Sequence, residues 1–117
     1  MSKAAISVFA FGVYLIVIGI GFLVVPNMLF GLFGFPATTE PWIRIVGMLL
    51  LILAYYDIQT ARHEMTDFFH WTVHARASVI VFFIVFVALN LAQPMLLLFG
   101  VIDLMGAIWT ALALRNA

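Results

Sequence analysis

The sequence predicts an all-α polytopic membrane protein: four transmembrane helices in an antiparallel bundle, with a short interfacial helix after the first span. Three observations carry this expectation. Hydrophobic residues make up 67% of the 117 residues, against roughly 45–50% in soluble domains. Charged residues are 9%, where about 25% is usual, and mean hydropathy is +1.25. So little charge cannot supply the polar shell of a water-soluble domain, which leaves lipid as the solvent for most of the surface. Finally, the apolar residues fall into four runs of about 20, the length a helix needs to cross a hydrocarbon core of roughly 30 Å.

Span one covers about 4–25 and is stopped by Pro26. Its apolar run of 22 residues is longer than the roughly 7–15 of a cleaved signal peptide, and no small-x-small cleavage pattern follows, so it reads as a retained span. Span two covers about 42–61 and opens after Pro41, at a position where a missing N–H costs nothing. Span three covers about 69–91 and ends before Gln93-Pro94; span four covers about 95–114 and ends at Arg115. The period-two alternation of barrel strands is absent. Between spans one and two, PNMLFGLFGFPATTEP is too apolar for a plain loop and too short to span, so a short helix over Asn27–Phe33 is expected to lie along the interface. Gly12, Gly19 and Gly21 permit close packing of span one. No linker, repeat or low-complexity tract divides the chain, and residues 1–117 are expected to form one domain.

An even number of spans puts both ends and the 62–68 turn on one side. That side carries Lys3, Arg62 and Arg115, with Arg76 within snorkelling reach, and the other side has only Arg44, beside Glu40. By the positive-inside rule the termini are expected in the cytoplasm. Trp42 and Trp71 then fall at the outer and inner interfaces, where amphipathic rings are favoured.

Net charge is zero and no basic run exists, so the electrostatic footprint of nucleic-acid binding is missing and the expected partner is the bilayer. The absence of cysteine excludes disulfides, thiolate metal sites and cysteine redox chemistry. No glycine-rich phosphate loop, dinucleotide fingerprint or nucleophile elbow is present, and no cofactor is predicted.

Polar residues concentrate in Tyr55–Arg76, YYDIQTARHEMTDFFHWTVHAR, which holds five of the ten charged residues and all three histidines. His70 and His74 stand four apart and share a helical face, with His63, Glu64 and Asp67 just upstream. Two histidines and a carboxylate can hold a transition metal, and Arg62 can clamp an anionic head group. Against this, there is only one HxxxH and no HExxH. A turn at a membrane surface has to be polar anyway, because its backbone groups lack helical partners. No metal is assigned on this pattern.

Ionisable residues inside the spans carry more weight, because a charge at the centre of a bilayer costs about 2.5–3.5 kcal/mol on insertion scales. Asp103 lies near mid-membrane, on a stripe with Gly100, Ala107 and Thr110 that should face protein, since small residues let another helix approach. Asp57 and Arg76 fall at similar depth on adjacent antiparallel spans and are expected to form an ion pair locking spans two and three. Asp103 is left without a partner at its own depth except Tyr14, whose hydroxyl could donate to it. Arg44, near the outer end of span two, points away from Asp57.

GVYLIVIGIGFLVVP, LFGFP, WIRIVGMLLLILAYYDIQTAR, FFHWTVHAR and LFGVIDLMGAIWTALALR together resemble, in outline, the small four-helix bacterial membrane proteins akin to the DoxX-like group. The resemblance implies a compact four-helix bundle of the bacterial inner membrane and brings no established activity, so no catalytic residue is carried over. The expected function is that of a small, non-enzymatic integral membrane protein that assists or assembles with other membrane components, as a homo-oligomer or with other proteins. Two alternatives stand beside it: an oligomeric small-molecule or lipid transporter using Asp103, and a lipid- or quinone-modifying enzyme using the histidine cluster.

Overall fold

The computed structural model describes residues 1–116. Helix α1 runs Lys3–Val24, α2 Pro26–Leu32, α3 Trp42–Arg62, α4 Thr66–Ala88 and α5 Leu96–Arg115. No strand occurs among the described residues. Apart from the seven-residue α2, every helix is long and apolar enough to cross a membrane, at 22, 21, 23 and 20 residues. A rise of about 1.5 Å per residue gives each roughly the thickness of the hydrocarbon core. The short helix expected over Asn27–Phe33 is present one residue earlier, because Pro26 is pre-set for the first helical position. The largest departure is span three. Its helix begins at Thr66, three residues before the expected Phe69, and ends at Ala88 rather than Leu91.

Helices α1 and α3 pack tightly along their length, α4 and α5 form a second close pair, and α1 against α5 joins the two. Helices α3 and α4 hardly touch, although only three residues separate them. The bundle is therefore an arc in the order α3, α1, α5, α4, open along one side. Its Cα envelope of 43 × 30 × 18 Å is correspondingly broader than it is thick.

Small residues set the α1–α3 approach. Ala5, Gly12 and Gly19 recur every seven residues on α1, and Gly47, Ala54 and Ala61 recur every seven on α3. In the antiparallel register Gly19 meets Gly47, Gly12 meets Ala54, and Ala5 and Ala61 share one buried cluster. A Cβ on Gly47 would lie 2.8 Å from the Gly19 carbonyl oxygen and 3.0 Å from the Leu23 nitrogen. Such close backbone contact provides van der Waals attraction where lipid removes the usual hydrophobic drive between helices.

All four long helices converge at the end holding the N-terminus and the α3–α4 turn. Ala4, Ala5, Val8, Ala61, Phe69 and Ala113 form the core there. The turn itself is a tight helix stop. Met65 N–H donates to the Thr60 carbonyl at 3.1 Å, and Glu64 takes a left-handed φ of 53°, the position usually given to glycine. The same closure ends α2 with Gly34 and α4 with Asn90 in the left-handed role. Glu64 holds it with the help of its side chain: the Ser2 N–H donates to one carboxylate oxygen at 2.5 Å and the Ser2 hydroxyl to the other at 2.7 Å. Ser2 also caps α1 by accepting from Ala5 N–H. The N-terminus is thereby latched to the α3–α4 turn.

Two expected outcomes follow from this packing. Gly47→Ala should destabilise the protein by about 1–3 kcal/mol, as overpacking against atoms that cannot move away does. Gly31→Ala, which meets nothing within 4 Å, should not; thermal unfolding in detergent compares them. The Ser2 hydrogen bonds hold the Glu64 carboxyl below its ordinary value of 4.5. The latch is therefore complete above that value and lost as pH falls through the depressed one. Amide exchange at the start of α1, corrected for its intrinsic rate, should accelerate on acidification and already be fast at neutral pH in Glu64→Ala.

Candidate functional site: a buried arginine beside a lateral cleft

Because α4 starts at Thr66, Arg76 lies ten residues into its helix. It is 6% exposed, so its long side chain ends inside the bundle. The guanidinium Nη2 donates to Thr110 Oγ1 at 2.7 Å, and Nε donates to the Thr72 carbonyl one turn back at 3.3 Å. Beyond Thr110 the direction of the hydrogen bonds is fixed by counting protons. Ser7 Oγ donates to the Ala4 carbonyl at 2.6 Å and lies 2.6 Å from Thr110 Oγ1. The one Ser7 proton is used on Ala4, so Thr110 must donate to Ser7. Arg76 to Thr110 to Ser7 to the α1 backbone is thus one relay joining α4, α5 and α1. Ser7 and Thr110 are fully buried.

The remaining contacts of the guanidinium are less complete. Its carbon sits 4.8 Å from the centre of the Phe11 ring, a cation–π arrangement. Gly106 leaves the space it needs, since a Cβ there would lie 3.1 Å from both Nη1 and the Phe11 ring. Nη1 is buried with no hydrogen-bond partner.

The expected Asp57–Arg76 ion pair is not made: the guanidinium spends its hydrogen bonds on Thr110 and Thr72. The physical reason is the arc. Helices α3 and α4 are too far apart to bring the two side chains into contact, and α5 offers a hydroxyl close by. Arg76 still lies within Coulombic reach of both Asp57 and Asp103. Asp57 is buried, and Asp103 is half-buried.

These groups line a cleft of about 670 Å³ where α3 and α4 diverge. Leu53 and Tyr56 from α3 face Phe68, Trp71 and Phe82 from α4, with Phe11, Asp57, Arg76 and Asp103 at the same cavity. A second chamber of about 450 Å³ occupies the opposite half of the bundle, lined by Tyr14, Phe30, Trp42, Gln93 and Phe99 among others. The two share Leu15, Leu50, Phe83 and Asp103, which puts Asp103 at their junction. Tyr14 and Asp103 both line the second chamber, with no hydrogen bond between them among the described residues, and the Tyr14 ring packs on Phe11 with centroids 5.5 Å apart.

The other candidates lie elsewhere. Arg44 is exposed and donates from Nη1 to the Leu23 carbonyl, satisfying one of the orphan carbonyls at the end of α1. His63, His70, His74, Arg62 and Asp67 are exposed, and Glu64 belongs to the latch. Among the described residues no group of three or more potential metal ligands comes together, so the histidine-and-carboxylate arrangement is not assembled. Reasoning on charge alone missed Ser7, Thr72 and Phe11. A hydroxyl or an aromatic ring in a span costs too little to stand out, although Ser7 is the sole hydroxyl-bearing residue besides Tyr14 in span one. Comparison with protein families, with curated proteins and with solved structures returns no match for this chain.

Thr110→Val keeps the volume and removes the hydroxyl. It should cost about 1–3 kcal/mol, the penalty of leaving a buried charged donor unpaired, while Thr110→Ser should retain most of the wild-type stability. Reversible unfolding in detergent or bicelles measures both.

Proposed function

We propose that this chain is a small, non-enzymatic integral membrane protein that takes an amphiphilic molecule from the bilayer into the cleft between α3 and α4 and holds it for other membrane components. The observation that carries the reading is the pairing of an apolar lateral cleft with three ionisable side chains, Arg76, Asp57 and Asp103, at its wall. Ligand sites are typically concave, mostly apolar, of roughly 300–1,000 Å³, with a few polar groups that fix orientation. Intramembrane ionisable residues are costly enough to mark such sites. Arg76, Asp57 and Asp103 are the orienting groups, and the aromatic walls receive the apolar body.

The same reading places the chain in the bacterial inner membrane with cytoplasmic termini, on the positive-inside bias and the resemblance in outline to DoxX-like proteins. Transport through a single copy is less well supported. The helices converge tightly around Ala4, Ala61, Phe69 and Ala113 at one end, so the cleft supports exchange with the bilayer better than passage across it.

A cleft-filling substitution tests the reading. Val79 lines the cleft on α4 and takes part in none of the relay contacts. Val79→Trp should leave the melting temperature close to wild type and reduce the amphiphile that copurifies from native membranes by at least about tenfold, a loss of 1.4 kcal/mol or more in binding. Extraction and mass spectrometry provide the measure. Equal recovery from both proteins would remove the proposal.

A further inference from the structure

We propose that the second chamber is a binding site for a lipophilic onium cation, a positive centre shielded by apolar groups, with Asp103 as its counter-charge and aromatic rings as its walls. This site is separate from the α3–α4 cleft and does not depend on what the cleft holds. Three ionisable side chains meet where the two spaces join. Arg76 brings one positive charge, and the two carboxyls within its Coulombic reach are Asp57 and Asp103. Arg76 and Asp57 line the cleft alone, whereas Asp103 lines both spaces and is the one charged residue at the chamber. Asp57 is enough to balance the guanidinium, which leaves Asp103 in excess on the chamber side. Arg76 gives Asp103 no hydrogen bond either, because Thr110 and Thr72 receive those. A carboxyl so placed in a membrane sheds its cost by taking a proton or by facing a cation.

The walls select the cation. Seven of the sixteen residues lining the chamber are aromatic, against 15% of the whole chain, and none is basic. Phe30 joins Phe22 and Trp42 in one wall, with ring centroids 5.9 and 6.3 Å apart. The faces of such rings attract a cation most strongly once it has left water. A hard metal ion is poorly served, since calcium asks for about six to eight oxygens. Beside Asp103 the side chains offer only the Tyr14 hydroxyl and the Gln93 amide. Trp42 opens α3, Gln93 lies between α4 and α5, and Asp103 stands seven residues on from the start of α5. At about 1.5 Å per residue the carboxyl is roughly 10 Å from that helix end. The chamber therefore has depth for an apolar body among the rings with its charge at the acid.

Methyltriphenylphosphonium and its carbon isostere triphenylethane differ in charge at constant shape. Each is given separately to the purified protein in a mild uncharged detergent, and dialysis against protein-free micelles reads the amount bound. The wild-type protein should bind the phosphonium at least about tenfold more tightly than the isostere, as a close desolvated charge pair does. Asp103→Asn should abolish that preference with a melting temperature near wild type. Val46→Trp, which fills the chamber and leaves the acid in place, should lose both probes and tests the site should Asp103→Asn fail to fold. Glu40→Gln, an exposed carboxyl two residues before Trp42, should bind as the wild type does. Equal binding of the two probes by the wild-type protein would overturn the proposal, since the acid would then be satisfied by a proton. So would phosphonium binding that survives Asp103→Asn or Val46→Trp, or that falls as far in Glu40→Gln as in Asp103→Asn. The cleft is read separately, by the amphiphile lost in Val79→Trp, so either site fails without the other.

Discussion

The fold depends on one buried arginine finding partners inside the bilayer. Arg76 is buried, and a guanidinium taken out of water has to be given partners. Its tie to Thr110, and through Thr110 and Ser7 to the backbone of α1, fixes how the α4–α5 pair docks against the α1–α3 pair. Each step uses a group whose burial would otherwise be costly. The relay therefore sets both the contact between the pairs and its depth. The small-residue seams within the pairs set only how closely each pair approaches. Gly106 belongs to the same arrangement, because it is the gap in α5 that lets the guanidinium lie between Phe11 and the helix.

From this docking the cleft follows. With α1 and α5 in contact and α3 and α4 at the outer ends of the arc, the two helices joined by the shortest connection are the ones left apart. The Ser2–Glu64 latch and the alanine-rich core close one end. The opposite half stays open around aromatic side chains. Two carboxyls and a guanidinium thus border apolar space in the membrane, which is an expensive arrangement for a purely structural element and an ordinary one for a binding site.

The class of the fold was plain from composition and run length, because crossing a bilayer imposes a length and a polarity that four stretches of this chain satisfy almost to the residue. Span three is expected three residues late because Thr66 and Asp67 look like turn material, whereas the helix holds both in its first turn. The expected ion pair of Arg76 with Asp57 fails on helix order instead, because α3 and α4 stand at opposite ends of the arc and hardly touch. Asp103 and the stripe of Gly100, Ala107 and Thr110 were legible because small residues and a costly acid coincide on one face. That Thr110 rather than a carboxylate would receive the arginine was not, because it depends on which helices are neighbours, and the order α3, α1, α5, α4 leaves no mark in a single chain's periodicity.

The relay also bears on how such a chain is made. Helices α1 and α3 contain all of their mutual seam and are complete once Arg62 has been synthesised. Helix α4 then emerges carrying a guanidinium whose hydroxyl partner lies 34 residues further on. Until α5 follows, Arg76 lacks the Thr110 hydroxyl that receives it in the finished fold, and of the two carboxyls within its Coulombic reach only Asp57 has been made. The guanidinium is therefore bound last, by the final helix to be made, so that the order of synthesis delays the tie between the two helix pairs.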